Sequence, residues 1–121
     1  MSYDVPVTSD LIEVEWQYAA LDTRPVVRWL SGSLPAGFTL ERAGTMELDD
    51  TCFDTSNWHL HRARYTCRVR RKGDSAELTL KSMAEPDEGI RSRREITEPL
   101  TSADISPAAA PGACGAVIRA V

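Results

Sequence analysis

Four stretches of this chain carry charged side chains at alternating positions, and the signs differ between stretches. Glu13 and Glu15 stand in the first. Arg68, Arg70 and Lys72 stand in the second, Lys81 in the third, and Arg93 with Glu95 in the fourth. Carboxylates are hard oxygen ligands that suit magnesium or manganese. Arginine forks onto phosphate oxygens, and lysine adds a compact point charge. The ligand that answers both signs at once is a phosphate anion carried with a divalent cation. Any one of these stretches alone is ordinarily a solvated strand face. Their recurrence on four segments, with acids and bases together, favours a site.

The elements that must position these groups are strands. Leu11 to Tyr18 alternates without a break, with Ile12, Val14, Trp16 and Tyr18 on one face and Glu13, Glu15 and Gln17 on the other. A period of two over eight residues predicts a strand. Asp22 and Thr23 can cap a short helix with Pro25 in its first turn, stopped near Gly32. A second strand is expected over Thr45 to Asp54, with Met46, Leu48 and Cys52 on one face, followed by a turn at Thr55 to Trp58. Arg64 to Lys72 and Ala76 to Ser82 read as a hairpin around Gly73-Asp74-Ser75. Ala84 to Gly89 reads as a polar loop. Ile90 to Thr97 alternates again, with Arg91, Arg93, Glu95 and Thr97 sharing a face. If these strands form one antiparallel sheet, the charges converge, and curling that face inward makes a polar tunnel. Burying such charges is costly unless they pair or hold a ligand.

Composition narrows the classes. At 121 residues there is room for one domain with a genuine core, without a disulfide or metal staple. No apolar run approaches a membrane span, so no membrane partner is expected. Met1 to Pro6 lacks the basic and apolar regions of a secretory leader. Cys52, Cys67 and Cys114 are too few and too scattered for a disulfide framework, which points to a reducing cytoplasm. The net charge of −4 argues against a general nucleic-acid binder. It conceals ten acids against three arginines in residues 1–54, and ten Lys/Arg against five acids in residues 55–94. A local basic cluster in an acidic protein suits a small anion.

With these segments in order, the chain resembles the amino-terminal part of a CYTH domain, the triphosphate tunnel metalloenzyme family. Glu13-Val-Glu15 is similar to the start of the family's ExExK strand, and Phe53-Asp54-Thr55 to its aromatic-Asp-Thr segment. Arg68-Val-Arg70 resembles the paired basic strand, Thr79-Leu-Lys81 the TLK strand, and Arg93-Arg-Glu95 the start of RxExE. The resemblance implies an α+β fold, mainly antiparallel β: an incomplete tunnel barrel, an open curved sheet with one or two short helices. It places a partial CYTH-like domain over residues 1–100 and a short helical or irregular tail over 101–121. It implies metal ligation by Glu13, Glu15 and Glu95, with catalytic roles for Glu13 and Glu15. It implies phosphate binding by Arg68, Arg70, Lys81 and Arg93, with Mg2+ or Mn2+ as cofactor. The implied partner is a triphosphate-containing small molecule or inorganic polyphosphate, and the implied reaction is release of the terminal phosphate. Two alternatives stand beside it: a polyphosphate- or nucleotide-binding module without turnover, and an inactive truncated fragment.

Two positions depart from the family pattern. Gln17 stands where ExExK ends in lysine, and Thr97 stands where RxExE has its second acid. Family barrels also continue with further strands beyond the position of Val121. Open sheet edges and self-association through them are therefore expected. His59 and His61 are expected on one side of an extended surface segment, without the soft ligands zinc needs. Cys52 and Cys67 are expected to pack as small hydrophobes, and Trp16 to lie under a helix. Arg62 and Arg64 are expected to face solvent, and Lys72 to sit at the tunnel mouth. No Ser-His-Asp arrangement and no glycine-rich P-loop is readable.

Overall fold

The computed structural model describes residues 8–84 and 88–121. The readings of Met1 to Pro6, and of the centre of the Ala84 to Gly89 loop, lie outside them. Five strands, β1 (Ser9–Trp16), β2 (Leu48–Phe53), β3 (Tyr65–Lys72), β4 (Ser75–Ser82) and β5 (Ile90–Leu100), form one sheet. Its order is β1-β5-β4-β3-β2, and every neighbouring pair is antiparallel. The fold is thus α+β, an open antiparallel sheet with β1 and β2 at its edges. Three short helices accompany it: α1 (Arg24–Leu30), α2 (His59–Arg62) and α3 (Ala113–Ala120), with a 3-10 turn at Pro107–Ala109.

The alternation seen in the sequence becomes the two faces of this sheet. Leu78, Leu80 and Ile96 are fully buried on one face, and Cys67, Val69, Ala76 and Leu100 join them. α3 closes over that face through Cys114, whose thiol donates to the Ile96 carbonyl at 3.1 Å. Leu60 of α2 and Ala110 complete the core. The β3–β4 hairpin turns through Gly73 at φ +56°, a left-handed conformation that glycine adopts without a Cβ penalty.

The docking of α3 depends on one carboxylate. Glu98, 2 % exposed, accepts hydrogen bonds from the Gly112 amide at 2.7 Å and the Gly115 amide at 3.0 Å. Those amides belong to the first turn of α3, where backbone N–H groups have no helical partner and the dipole favours negative charge. Gly115 must stay a glycine, because a Cβ there would run into the Ala110 carbonyl.

Three local expectations are corrected. The turn at Thr55 to Trp58 leads into a third helix, α2, so His59 and His61 lie on a helical turn and not on an extended segment; both remain exposed. Asp54 explains this helix. Its carboxylate accepts from the amides of Thr55, Leu60 and His61 at 2.8, 2.9 and 3.0 Å. Desolvation pushes the Asp54 carboxyl up, but these three bonds outweigh it and hold it below the ordinary range. Trp16 is 61 % exposed and carries no helix, because α1 buries none of its residues against the sheet. Cys52 is exposed, since its parity puts it on the charged face; Cys67, of opposite parity, is buried, and burial pushes its thiol up to about 12. Among the described residues, no helix is long and apolar enough to cross a membrane.

Candidate phosphate and metal site

The second face of the sheet gathers the charged residues singled out in the sequence. Cross-strand register sets Glu13 opposite Arg93, and Lys81 opposite Glu95. It sets Arg68 opposite both Thr79 and Cys52, and Arg70 opposite both Glu77 and Asp50. Paired residues in a sheet project to the same side, so seven predicted residues share one face: Glu13, Glu15, Arg68, Arg70, Lys81, Arg93 and Glu95.

They divide into two clusters. In the first, the Lys81 ammonium lies 3.0 and 3.1 Å from the two Glu13 oxygens and 3.4 Å from Glu95 Oε2. Arg93 reaches Glu15 at 2.9 Å through Nη2 and approaches Glu13 at 3.6 Å through Nε. The neighbouring Glu95 carboxyl is the largest influence holding Glu13 below its ordinary range, reinforced by Lys81 and Arg93 against the pull of burial. Glu13, with burial, raises Glu95 in turn, while Lys81 opposes the rise. Two acids in contact thus share their ionisation as a pair, one favoured as carboxylate and the other as acid.

In the second cluster, Arg70 makes a bidentate pair with Asp50, both bonds at 2.7 Å. The guanidinium holds the Asp50 carboxyl below its usual range. Lys72, at the far end of β3, pairs with Glu77 at 3.1 Å. Sequence reasoning missed Asp50. The signal was available: it has the same parity as Leu48 and Cys52, and the adjacent Asp49 obscured it.

Four buried side-chain atoms of the described residues lack a hydrogen-bond partner: Arg68 Nε, Arg91 Nε, Arg93 Nε and Glu95 Oε2. All four belong to the charged face. Buried polar atoms are nearly always satisfied, so four unsatisfied ones on a single face set that face apart as the candidate site.

Among the described residues, no three or more His, Cys, Asp or Glu side chains form a group that could hold an ion. Glu13 and Glu95 come together, but Glu15 is turned to Arg93, and Thr97 donates to Glu95 at a long 3.5 Å. Two carboxylates still fit magnesium, which is commonly bound by one or two carboxylates plus waters and substrate phosphates.

The structure is an open antiparallel sheet with one apolar face under a helix and one face of paired acids and bases, on which buried guanidinium Nε atoms lack a hydrogen-bond partner among the described residues. The chain belongs to the CYTH domain family, whose model matches residues 27–117. The match covers β2 to β5 and most of α3, while β1, with Glu13 and Glu15, precedes it. This family is of the triphosphate-tunnel type, generally binds triphosphate substrates and is generally metal-dependent. No curated protein and no solved structure matches the chain.

Proposed function

We propose that the charged face binds a triphosphate or polyphosphate anion together with one divalent cation, Mg2+ or Mn2+. The convergence on this face of all four unsatisfied buried atoms found among the described residues carries the reading. Arg68, Arg70, Lys81 and Arg93 donate to phosphate oxygens, and Glu13 and Glu95 hold the cation. Bound there, the metal would neutralise phosphate charge and lower the cost of attack at the terminal phosphorus. As the anion takes Arg93, Glu15 is released from its ion pair. It is then free to accept a proton from water that attacks the terminal phosphorus while the bridging P–O bond breaks. Orthophosphate and the shortened chain are the products. Binding without turnover is the second reading. The pairing of Glu15 with Arg93, and Thr97 in place of an acid, favour it by leaving two carboxylates for the metal.

Phosphate release from tripolyphosphate, with magnesium or manganese and with chelator, separates the two readings. Metal-dependent turnover that falls about a hundredfold in Glu13→Gln supports hydrolysis. A raised melting temperature without turnover supports the binding module. No response in either assay removes both.

The edges of the sheet support a further partner. β1 and β2 each pair on one side only within the described sheet, and Ile12 and Val14 of β1 are more than half exposed. Self-association through these edges is the expected consequence. Sedimentation at rising protein concentration should show a growing dimer fraction, and Val14→Lys should reduce it. A monomer at all concentrations counts against it.

A further inference from the structure

The apolar face of the sheet is only partly covered. α3 closes it over β4 and β5, where Cys114 meets the Leu78 and Ile96 carbonyls. β1 continues the same face, because Asp10 stands opposite Ile96 and Ile12, Val14 and Trp16 share its parity. There the face is bare: Ile12, Val14 and Trp16 are each more than 60 % exposed.

A second apolar surface of the chain is equally bare. On a helical wheel, Trp29, Val26, Leu30 and Val27 of α1 form one stripe about 160° wide, with Arg24 and Arg28 opposite. A stripe of that kind is the buried side of a surface helix. Yet α1 buries none of its residues, and all four apolar side chains are more than a third exposed. A seven-residue helix does not hold itself together in water, so its stability must come from packing. The chain thus presents a sheet face without a helix and a helix without a sheet face.

We infer that the two meet between copies. α1 of one copy lies over β1 of a second copy, and the second copy's α1 returns the contact. Exchange of one element about a two-fold axis is self-complementary by construction. The area agrees. The seven side chains expose roughly 700 Å² per copy, so two reciprocal contacts bury roughly 1,400 Å², inside the range of about 1,200–2,000 Å² for stable interfaces. Residues 17–23, which join β1 to α1, are exposed throughout. Extended, they reach about 25 Å, enough to carry the helix to a neighbour. The contact is independent of the phosphate reading. It also differs from the edge pairing expected above, because it packs side chains on a face and an edge pairs backbones. The strand it covers carries Glu13 and Glu15 on its other face.

Val14→Lys weakens either kind of dimer, but Trp29→Asp weakens only this one, since α1 forms no part of the sheet. Sedimentation of the unsubstituted chain should show a dimer, and its Kd should rise at least about tenfold in Trp29→Asp. Melting of the dilute monomer should not change, because α1 buries nothing in its own chain. Cross-linking then identifies the mate. In a Cys52→Ser background, which removes the exposed thiol, copies carrying Val14→Cys are mixed with copies carrying Val27→Cys and treated with a short bis-maleimide. A covalent dimer joining the two positions supports the exchange. Cross-linking only within single chains of the double variant places α1 on its own β1 and overturns it. A dimer indifferent to Trp29→Asp overturns it and leaves edge pairing standing. A monomer at every concentration overturns both.

Discussion

Lys81→Met is expected to weaken tripolyphosphate binding severely and to destabilise the protein at neutral pH. The Lys81 ammonium is the only cation within 3.5 Å of both Glu13 and Glu95 among the ion pairs of the described residues. Its side chain is 19 % exposed, so water replaces little of what it supplies. Loss of one charge-assisted contact to phosphate costs about 2 kcal/mol, roughly thirtyfold in affinity. Two carboxylates left in contact without their counter-charge cost about 1–2 kcal/mol in stability, below the figure for a fully buried pair. The pH dependence follows from Glu95, whose pKa is already raised by Glu13 and by burial. Without the ammonium that opposes this rise, it climbs further. A carboxyl with a raised folded pKa contributes stability that is present below its unfolded pKa and lost as pH rises through the folded value. The deficit of Lys81→Met should therefore be full at pH 7 and narrow as the pH falls toward the ordinary carboxylate range. Melting curves across that range check the stability arm, and calorimetric titration checks the binding arm. Lys81→Arg should recover part of both. A deficit that does not change with pH would show that the two acids do not share a proton.

Glu98→Ala is expected to act on the fold and not on the ligand. It leaves two amides in the first turn of α3 without an acceptor and opens a cavity between that helix and β5. Unsatisfied buried groups and lost packing together cost about 3 kcal/mol. For a domain of this size, that lowers the melting temperature by about 10 °C. Tripolyphosphate affinity, measured well below the transition, should stay within about twofold, because Glu98 lies on the face opposite the charged residues. Glu98→Gln keeps one acceptor and should fall between. A melting temperature unchanged in Glu98→Ala would mean that α3 is held by Cys114 and its apolar contacts alone. The contrast with Lys81→Met separates the two faces: one variant loses the ligand, the other the scaffold.

Part of the Asp54 motif also proves to be scaffold. The Phe53-Asp54-Thr55 segment was legible as a family resemblance, yet its carboxylate is engaged with the backbone of α2. Bonding of that kind leaves no periodic trace, because a four-residue helix is too short for a helical pattern. The reverse holds for Arg91. Its parity was visible beside Arg93, but nothing in the sequence distinguished a paired arginine from a free one. That distinction depends on Glu15, which sits opposite Arg91 in register and yet pairs with Arg93.

Parity by itself determined that Glu13, Glu15, Arg68, Arg70, Lys81, Arg93 and Glu95 would share a face once their strands joined one sheet. Backbone geometry enforces that result, since side chains alternate with a period of two. Which acid meets which base was decided by tertiary structure alone. The Lys81–Glu13 contact joins residues 68 apart in sequence, and Arg93–Glu15 joins residues 78 apart. Their meeting requires one register for β1, β5 and β4, and a slip of one residue would turn every charge toward the core. Burial of Leu78, Leu80 and Ile96 beneath α3 excludes that slip between β4 and β5. The apolar face thus selects the register of β4 against β5, and the pairing of β1 with β5 then sets Glu13 and Glu15 against Lys81 and Arg93. Among the described residues, those pairs leave the buried Nε atoms of Arg68 and Arg91 without a hydrogen-bond partner on the charged face.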